Sequence, residues 1–241
     1  MKIEVWAKTD VGLRRDSNQD SFLVNSDLEL YVVADGMGGH SGGEVASKMA
    51  VGVLEKYISE QQKQIPSPRD LISNAFEEAN RRIYHRGREE SPELLGMGTT
   101  MVCIYRRESS FFIGNVGDSR CYLFRKPYLW QVTEDHSLLN EQLKAGVLRE
   151  DQIDRFEKRN VITRSVGYEP QLSVDILERT IHPGDCFLIC SDGLSSLIND
   201  SEITEILNNG KSGDNIVAGC IETALQKGGD DNITVIFLQT S

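Results

Sequence analysis

The feature that most constrains the fold of this chain is an apolar strand that ends in an aspartate, because it recurs. The clearest case is "YVVADGMGGH", residues 31–40, where Asp35 closes the strand and a glycine-rich stretch follows. Aspartates hold the same kind of position in "NQD", "NVGDS", "LICSDG" and "GGDDN", as Asp20, Asp118, Asp192, Asp230 and Asp231. One such aspartate is usually a turn residue. If several strand ends meet at one edge, their carboxylates repel, and a divalent cation is the usual remedy.

Hydrophobic periodicity predicts sheets covered by helices. Alternation and β-branched content predict strands at "KIEVWAKTD", "DSFLVNS" and "LELYVVAD", and a three-and-four spacing of apolar residues predicts a helix over 44–58. A second helix is predicted from Ser67, as its N-cap, to Ile83. Short strands with tight turns follow from residue 97 to about residue 133, which is typical of antiparallel pairing. We therefore predict an α+β fold with two mainly antiparallel sheets.

Length and polarity predict the domain organisation. The 241 residues fit a single domain, 1–241, that is long enough to bury a sizeable core. Within it, residues from about 137 to about 168 turn polar and charged, with short helical pieces around "SLLNEQLKAG" and "REDQIDRF". We interpret this segment as a flap on the main body.

Charge and cysteine content exclude several classes of protein. The formal net charge is −11, whereas binding to nucleic acid or to an anionic membrane needs a basic surface. No apolar run approaches the roughly 20 residues of a membrane helix, and "MKIEVWAKTD" lacks the features of a secretory signal. The five cysteines are scattered within apolar segments, which favours buried free thiols in a reducing compartment. We therefore expect a cytoplasmic protein, and we expect it to be a monomer.

The acids that end strands predict a metal site. Carboxylate oxygens suit Mg²⁺ or Mn²⁺ better than zinc or copper, because hard ions prefer hard ligands. Two such ions roughly 3.5–4 Å apart activate water against a phosphate, and Asp35 is the candidate to bridge them. The glycine after it, Gly36, exposes its backbone carbonyl as a further ligand. A phosphate also needs a cationic group, and "GLRRDSNQD" supplies Arg14 and Arg15, whose planar forks match phosphate geometry.

Taken together, the motifs resemble those of the bacterial branch of the PPM/PP2C family of metal-dependent serine/threonine protein phosphatases. The matching stretches follow the family's order over nearly the whole chain: "RRDSNQDS", "VVADGMGGHSGGEVAS", "MGTTMV", "NVGDSRCYLFR", "TEDHSLLN", "NVITRSVG", "LICSDGL" and "GGDDNITVI". As a set they are far more specific than any single motif. The resemblance implies a four-layer α-β-β-α sandwich whose metal site lies at one edge. It also implies hydrolysis of phosphoserine and phosphothreonine by a hydroxide that bridges two metal ions.

The same resemblance implies a set of metal ligands. Two Mn²⁺ or Mg²⁺ ions and a weaker third would be held by Asp20, Asp35, Gly36 through its carbonyl, Asp118, Asp192 and Asp231. Within this set Asp35 bridges the two catalytic ions, and Asp20 acts mainly through metal-bound water. Asp118 and Asp192 together form the third site.

The resemblance also implies roles in catalysis and substrate binding. Arg15, three residues before Asn18, takes the place of the family's phosphate-binding arginine. His40, at the tip of the glycine-rich stretch, matches the bacterial pattern. Two interpretations of it are open: a residue that recognises substrate or assists as an acid, or a loop histidine without a chemical duty. The predicted catalytic set is Asp35, Asp192, Asp231 and Arg15.

Three alternatives compete with this interpretation. A catalytically inactive scaffold on the same fold would have lost Asp35, Asp192 or Asp231, and all are present. A partner-switching phosphatase that acts on an anti-sigma-factor antagonist keeps the chemistry, but the intact "NQD" and "VGDSR" patterns favour the general branch. A two-metal nuclease needs a basic groove, which an acidic chain does not favour. We expect the partners to be phosphoproteins produced by a Hanks-type Ser/Thr kinase.

Overall fold

A computed structural model of the chain describes residues 1–156, 158 and 161–241; for residues 40, 41, 90, 92, 150, 154 and 155 the description is limited to the backbone. The strands are β1 Ile3–Asp10, β2 Asp20–Asn25, β3 Leu30–Met37, β4 Gly98–Thr99, β5 Met101–Arg107, β6 Ser110–Val116, β7 Arg120–Arg125, β8 Tyr128–Gln131, β9 Asp175–Thr180, β10 Cys186–Cys190 and β11 Ile233–Thr240. The α-helices are α1 Gly39–Gln61, α2 Pro68–His85, α3 Leu138–Lys144, α4 Asp192–Ser195, α5 Asp200–Asn209 and α6 Gly213–Gln226. A π-helical turn spans Arg86–Glu90, and 3₁₀ turns span Pro92–Leu94 and Glu150–Arg155.

The strands form two sheets in which every described pair is antiparallel. The first sheet has the order β1-β11-β10-β7-β8. The second has the order β2-β3-β5-β6-β9, and the short β4 pairs with the end of β3. The predicted α+β fold with two antiparallel sheets is therefore confirmed.

Three apolar layers hold the sheets and helices together. Alternate residues of β3 belong to two of these layers. Leu30 and Val32 pack with α1 and α2, whereas Tyr31 and Val33 pack between the two sheets. On the far side of the first sheet, α5 and α6 cover β10 and β11. The order of layers is thus helix, sheet, sheet, helix. Since β3 is buried on both faces, its sequence is a continuous apolar run rather than an alternating one.

Local signals decide where the first two helices begin. α2 begins as predicted, because Ser67 Oγ accepts the backbone N–H of Asp70 at 3.3 Å and proline opens the first turn. α1 begins at Gly39, five residues earlier than predicted, after a tight turn in which Gly38 and Gly39 have φ values of 120° and 56°. His40 therefore belongs to the first turn of α1 instead of the tip of a loop, and its side chain lies outside the described residues.

The segment predicted as a flap contains α3 and the second 3₁₀ turn. Ser137 and Ile162 form an isolated antiparallel bridge at its base, and Val166 forms another with Thr99 of β4. The two ends of the segment are therefore joined to each other, and the second end is attached to β4 of the sandwich, while its treatment as a flap within one domain stays a prediction. Among the described helices, none is both long and apolar enough to span a membrane.

Strand register brings acids from both sheets together. Asp20 begins β2 and lies opposite Asp35 near the end of β3. Asp192 follows β10 and Asp231 precedes β11, two neighbouring strands of the other sheet. Asp118 follows β6 of the second sheet. The candidate site therefore lies at the edge where the two sheets meet.

Candidate active site

A cavity of about 600 Å³ lies at this edge. Its acidic lining comes from Asp35, Asp192 and Asp231, and its basic lining from Arg14 and Arg15. Asp192 lies close enough to Asp35 for charge repulsion to raise the pKa of Asp35. Arg15 Nη2 donates to Asp231 Oδ2 at 2.6 Å. The whole predicted catalytic set therefore lines one cavity, which we call the catalytic cavity.

Asp35 is held in place through its backbone by the threonines of "MGTTMV". Thr100 N–H donates to the Asp35 carbonyl at 2.8 Å, and Asp35 N–H donates to Thr100 Oγ1 at 3.0 Å. Thr99 Oγ1 donates to the same carbonyl at 2.8 Å. These three hydrogen bonds fix the backbone from which the side chain of Asp35 extends at the catalytic cavity.

Asp20 connects the two sheets. Its Oδ2 accepts hydrogen bonds from Ser191 Oγ at 2.8 Å and from Thr234 Oγ1 at 2.7 Å, both on the side of the first sheet. Its Oδ1 is buried and has no hydrogen-bond partner among the described residues. Burial raises the pKa of Asp20 to about 7, although the two hydroxyls act in the opposite direction.

Asp118 and Asp192 border a smaller cavity of about 170 Å³. Each has a buried Oδ1 that lacks a hydrogen-bond partner within the described part of the chain. Burial, followed by repulsion from Asp192, raises the pKa of Asp118 to about 7. Because Asp192 also lines the catalytic cavity, it connects Asp118 with the other acids.

The remaining acids are crowded as well. Burial, and then repulsion from Asp20 and Asp192, raises the pKa of Asp35 well above its usual range. Burial also raises the pKa of Asp192. Carboxylates this close cannot all ionise without a positive counter-charge.

These residues fit a divalent metal ion with oxygen ligands. Three buried carboxylate oxygens, on Asp20, Asp118 and Asp192, lack a partner in the described structure. An unpaired buried oxygen is costly, and a cation would satisfy it while reducing the repulsion between acids. As placed, no three His, Cys, Asp or Glu side chains among the described residues are arranged so that they could hold one ion, and Asp231 is engaged by Arg15. An all-oxygen donor set suits Mn²⁺ or Mg²⁺.

The two arginines of "GLRRD" have different acidic neighbours. The half-exposed Arg15 is bonded to Asp231, which lines the catalytic cavity. Arg14 Nε lies 3.8 Å from Asp230 Oδ1, and both of these side chains are mostly exposed. An exposed pair of this kind contributes little to stability. Arg14 and Asp230 therefore serve as matched neighbours for tests of Arg15 and Asp231.

Gly36 is required as a glycine for a packing reason. A Cβ at Gly36 would lie 2.0 Å from the carbonyl oxygen of Gly43, and a Cβ at Gly43 would lie 2.5 Å from the carbonyl oxygen of Gly36. The start of α1 therefore packs directly on the end of β3, which two facing glycines permit. Use of the Gly36 carbonyl as a metal ligand stays a prediction.

Sequence reasoning missed the polar residue that positions the arginine loop. The buried Asn232 donates through Nδ2 to the carbonyls of Val11 at 2.8 Å and Ser17 at 3.0 Å. Its Oδ1 accepts the backbone N–H of Gln19 at 2.8 Å. Asn232 thereby holds both ends of the loop that carries Arg15. Asn232 follows two aspartates in "GGDDNITVI", and in a sequence the charged aspartates are a stronger signal of a functional site than an uncharged asparagine.

Comparison with known protein families gives a match over most of the chain. The sequence profile described as "Protein phosphatase 2C" matches residues 14–213. This chain belongs to the protein phosphatase 2C family. The matched range contains Arg15, Asp35 and Asp192.

Curated relatives and a solved structure are similar to this phosphatase 2C chain over almost its full length. The chain is 37% identical over 242 residues to a protein phosphatase 2C-type protein of Streptococcus pyogenes, covering 99% of this chain and 97% of that protein. It is 35% identical over 237 residues to the serine/threonine phosphatase stp of Listeria monocytogenes, covering 96% and 94%. The catalytic domain of the serine/threonine protein phosphatase PstP, solved in complex with two manganese ions, matches with a TM-score of 0.86 at 30% identity, covering 98% and 97%.

Proposed function

We propose that this chain is a metal-dependent protein phosphatase that hydrolyses phosphoserine and phosphothreonine in proteins. The observation that carries the proposal is the catalytic cavity, in which Arg15 lies beside Asp35, Asp192 and Asp231. A guanidinium beside clustered carboxylates offers one place for a phosphate and another for the cations that neutralise it. Membership of the protein phosphatase 2C family, whose members are metal-dependent enzymes, supports the same reaction.

We assign the metal ligands as follows. Asp35, Asp192, Asp231 and the Gly36 carbonyl would hold two Mn²⁺ or Mg²⁺ ions, with Asp35 serving both and Asp20 contributing through water. Bound there, the ions would lower the pKa of water and neutralise the charge that develops on the phosphoryl oxygens. The unpartnered buried oxygens of Asp20 and Asp192 support this assignment.

A weaker third ion is assigned to Asp118 and Asp192. The support is the small cavity that both residues border and the unpartnered Oδ1 on each of them. Since the pKa of Asp118 is raised by burial and by Asp192, a cation there would favour the ionised form of both carboxyls.

Arg15 binds the phosphoryl group of the substrate. Its hydrogen bond to Asp231 uses Nη2 and orients the guanidinium at the edge of the catalytic cavity. The other N–H groups have no acceptor in the described residues, so they can donate as a fork to two phosphoryl oxygens. This contact holds the phosphorus near the acids and partly neutralises its oxygens.

Water attacks the phosphorus directly in this proposal, without a covalent intermediate on cysteine. All five cysteines are buried. Burial raises the pKa of Cys103 and Cys220 to about 12 and that of Cys186 to about 11. Enclosed thiols that stay protonated at neutral pH are poor nucleophiles. His40 stays a candidate for substrate recognition or for proton donation to the leaving group.

We further propose that the substrates are proteins phosphorylated by a Hanks-type Ser/Thr kinase, and that the chain acts in the cytoplasm as a monomer. The five free cysteines support a reducing compartment. The net charge of −11 supports the monomer, because like charges oppose self-association.

Hydrolysis of p-nitrophenyl phosphate and of a phosphothreonine peptide, measured with Mn²⁺, with Mg²⁺ and with a chelator, tests the proposal. We expect turnover only with metal. Asp231→Asn should lower kcat/KM at least about 100-fold, whereas the adjacent Asp230→Asn should change it less than about twofold. Arg15→Ala should raise KM about tenfold or more, and Arg14→Ala much less. Absence of turnover in the folded, metal-loaded protein would overturn the proposal in favour of a scaffold.

A further inference from the structure

Two further cavities continue from the catalytic cavity. The second cavity of the row, of about 530 Å³, shares Ile162 with the catalytic cavity. The third cavity, of about 430 Å³, shares Tyr168 and Glu169 with the second cavity. The three cavities therefore form a row, and Tyr168 stands between the second and the third. We call the second and third cavities together the Tyr168 groove.

Tyr168 is exposed although the chain on either side of it is fixed. The residue is 56% exposed, yet the buried Asn80 binds the backbone of both of its neighbours. Asn80 Oδ1 accepts the Gly167 N–H at 2.6 Å, and Asn80 Nδ2 donates to the Glu169 carbonyl at 2.9 Å. An aromatic ring presented to solvent by a fixed loop is preorganised to contact a partner, since little conformational entropy is lost on binding.

The Tyr168 groove lies a short distance from the acids. Tyr168 Cβ is 3.6 Å from the position that a Cβ would take on Gly98. Gly98 pairs with Met37, two residues beyond Asp35 on β3. With about 3.3 Å per strand residue and about 4.8 Å between strands, Tyr168 lies about 10 Å from Asp35, which an extended peptide covers in about three to four residues.

The lining of the third cavity favours an apolar occupant, and Leu95, which is 67% exposed, lines it. The second cavity is lined mostly by polar side chains, and the guanidinium there, Arg164, donates through Nη1 to Asp175 Oδ1 at 2.9 Å. The guanidinium of the third cavity, Arg88, lies over the ring of Tyr84, 4.8 Å from its centroid. Because both guanidinium groups already have a partner, the groove offers more to an apolar side chain than to an acidic one.

We propose that the Tyr168 groove binds the substrate polypeptide beside its phosphorylated residue and selects an apolar side chain about three to four residues away. This inference rests on the proposed phosphatase function, because the occupant is the continuation of the chain whose phosphate enters the catalytic cavity. Tyr168 is a specificity-determining residue that contacts the substrate and leaves the reacting atoms untouched.

The experiment compares three substrates with Mn²⁺: p-nitrophenyl phosphate, which is too small to reach the groove, and two phosphothreonine peptides. The peptides differ only in carrying leucine or alanine about three and four residues on either side of the phosphothreonine. The variants are Tyr168→Ala and Tyr168→Phe, with Tyr128→Ala as the matched control. Tyr128 is 65% exposed but lies on β8, an edge strand of the first sheet, whereas Tyr168 lies beside β4, which pairs with the second sheet.

We expect the wild type to have the lower KM for the leucine peptide. Tyr168→Ala should raise that KM about fivefold to tenfold, while kcat and the hydrolysis of the other two substrates stay unchanged. Tyr168→Phe and Tyr128→Ala should keep the preference for leucine. Leu95→Ala, at an exposed position of the same groove, gives a second measurement if Tyr168→Ala does not fold.

Two results would overturn the proposed role of the Tyr168 groove while leaving the phosphatase function intact. One is an equal KM of the wild type for the two peptides. The other is a loss of the leucine preference in Tyr128→Ala as large as that in Tyr168→Ala. Failure of the wild type to hydrolyse p-nitrophenyl phosphate would instead overturn the proposed function, and the groove with it.

Discussion

Truncation of Asn232 to alanine should weaken both the fold and the catalytic cavity. The side chain is 4% exposed and makes three hydrogen bonds to the loop between Val11 and Gln19. Asn232→Ala leaves two carbonyl oxygens and one N–H without their partners. At about 0.5–1.5 kcal/mol for each bond, the free energy of unfolding should fall by about 1.5–4.5 kcal/mol.

The same substitution should lower activity, because Arg15 lies between the two carbonyls that Asn232 anchors. In the folded variant we expect kcat/KM for p-nitrophenyl phosphate to fall about tenfold, as the guanidinium loses its fixed position. Urea denaturation measures the stability, and Asn209→Ala, at an exposed end of α5, should change it by less than about 0.5 kcal/mol. A variant that loses stability but keeps its kcat/KM would refute the view that Asn232 positions Arg15.

Three further substitutions test packing and charge. Gly167→Ala should cost about 2–4 kcal/mol in urea denaturation, because Gly167 has φ +92° and an added Cβ would lie 2.1 Å from Ile83 Cγ2. Gly52→Ala, in a helix with no atom within 4 Å of the added Cβ, should stabilise by about 0.5–1 kcal/mol, and equal effects at both positions would contradict the packing argument. In chelator, stability should fall as pH rises from about 4 to about 7, because burial raises the pKa of Asp118 to about 7 and the folded state then binds the proton more tightly than the unfolded state. Asp118→Asn should flatten that fall in a series of thermal melts, and an unchanged slope would contradict it.

The sequence predicts the elements whose signals are local. Ser67 caps α2 as expected, since a serine followed by proline and an acid determines a helix start without help from the rest of the fold. The start of α1 is different, because its first residues are glycines with weak helical preference. What makes them helical is the close approach of Gly43 to Gly36, a tertiary contact that periodicity does not contain.

The site divides in the same way. The acids could be predicted from the sequence, because an aspartate at the end of an apolar strand is visible in the sequence alone. Their partners could not: Ser191 and Thr234 bind Asp20 from 171 and 214 residues away, and only strand order brings them together. Tyr168 also lacked a signal, since a tyrosine after a glycine is ordinary until the cavities on both sides of it are known.

The position of β11 has a consequence for protein synthesis. β11 lies between β1 and β10, so a strand translated late is inserted between two that leave the ribosome earlier. Asp231, two residues before β11, reaches the other acids only when that insertion is complete. A nascent chain still attached at β11 therefore has Arg15 and Asp35 but no complete cavity. Dephosphorylation by this protein therefore cannot begin before β11 has emerged from the ribosome and paired with β1 and β10.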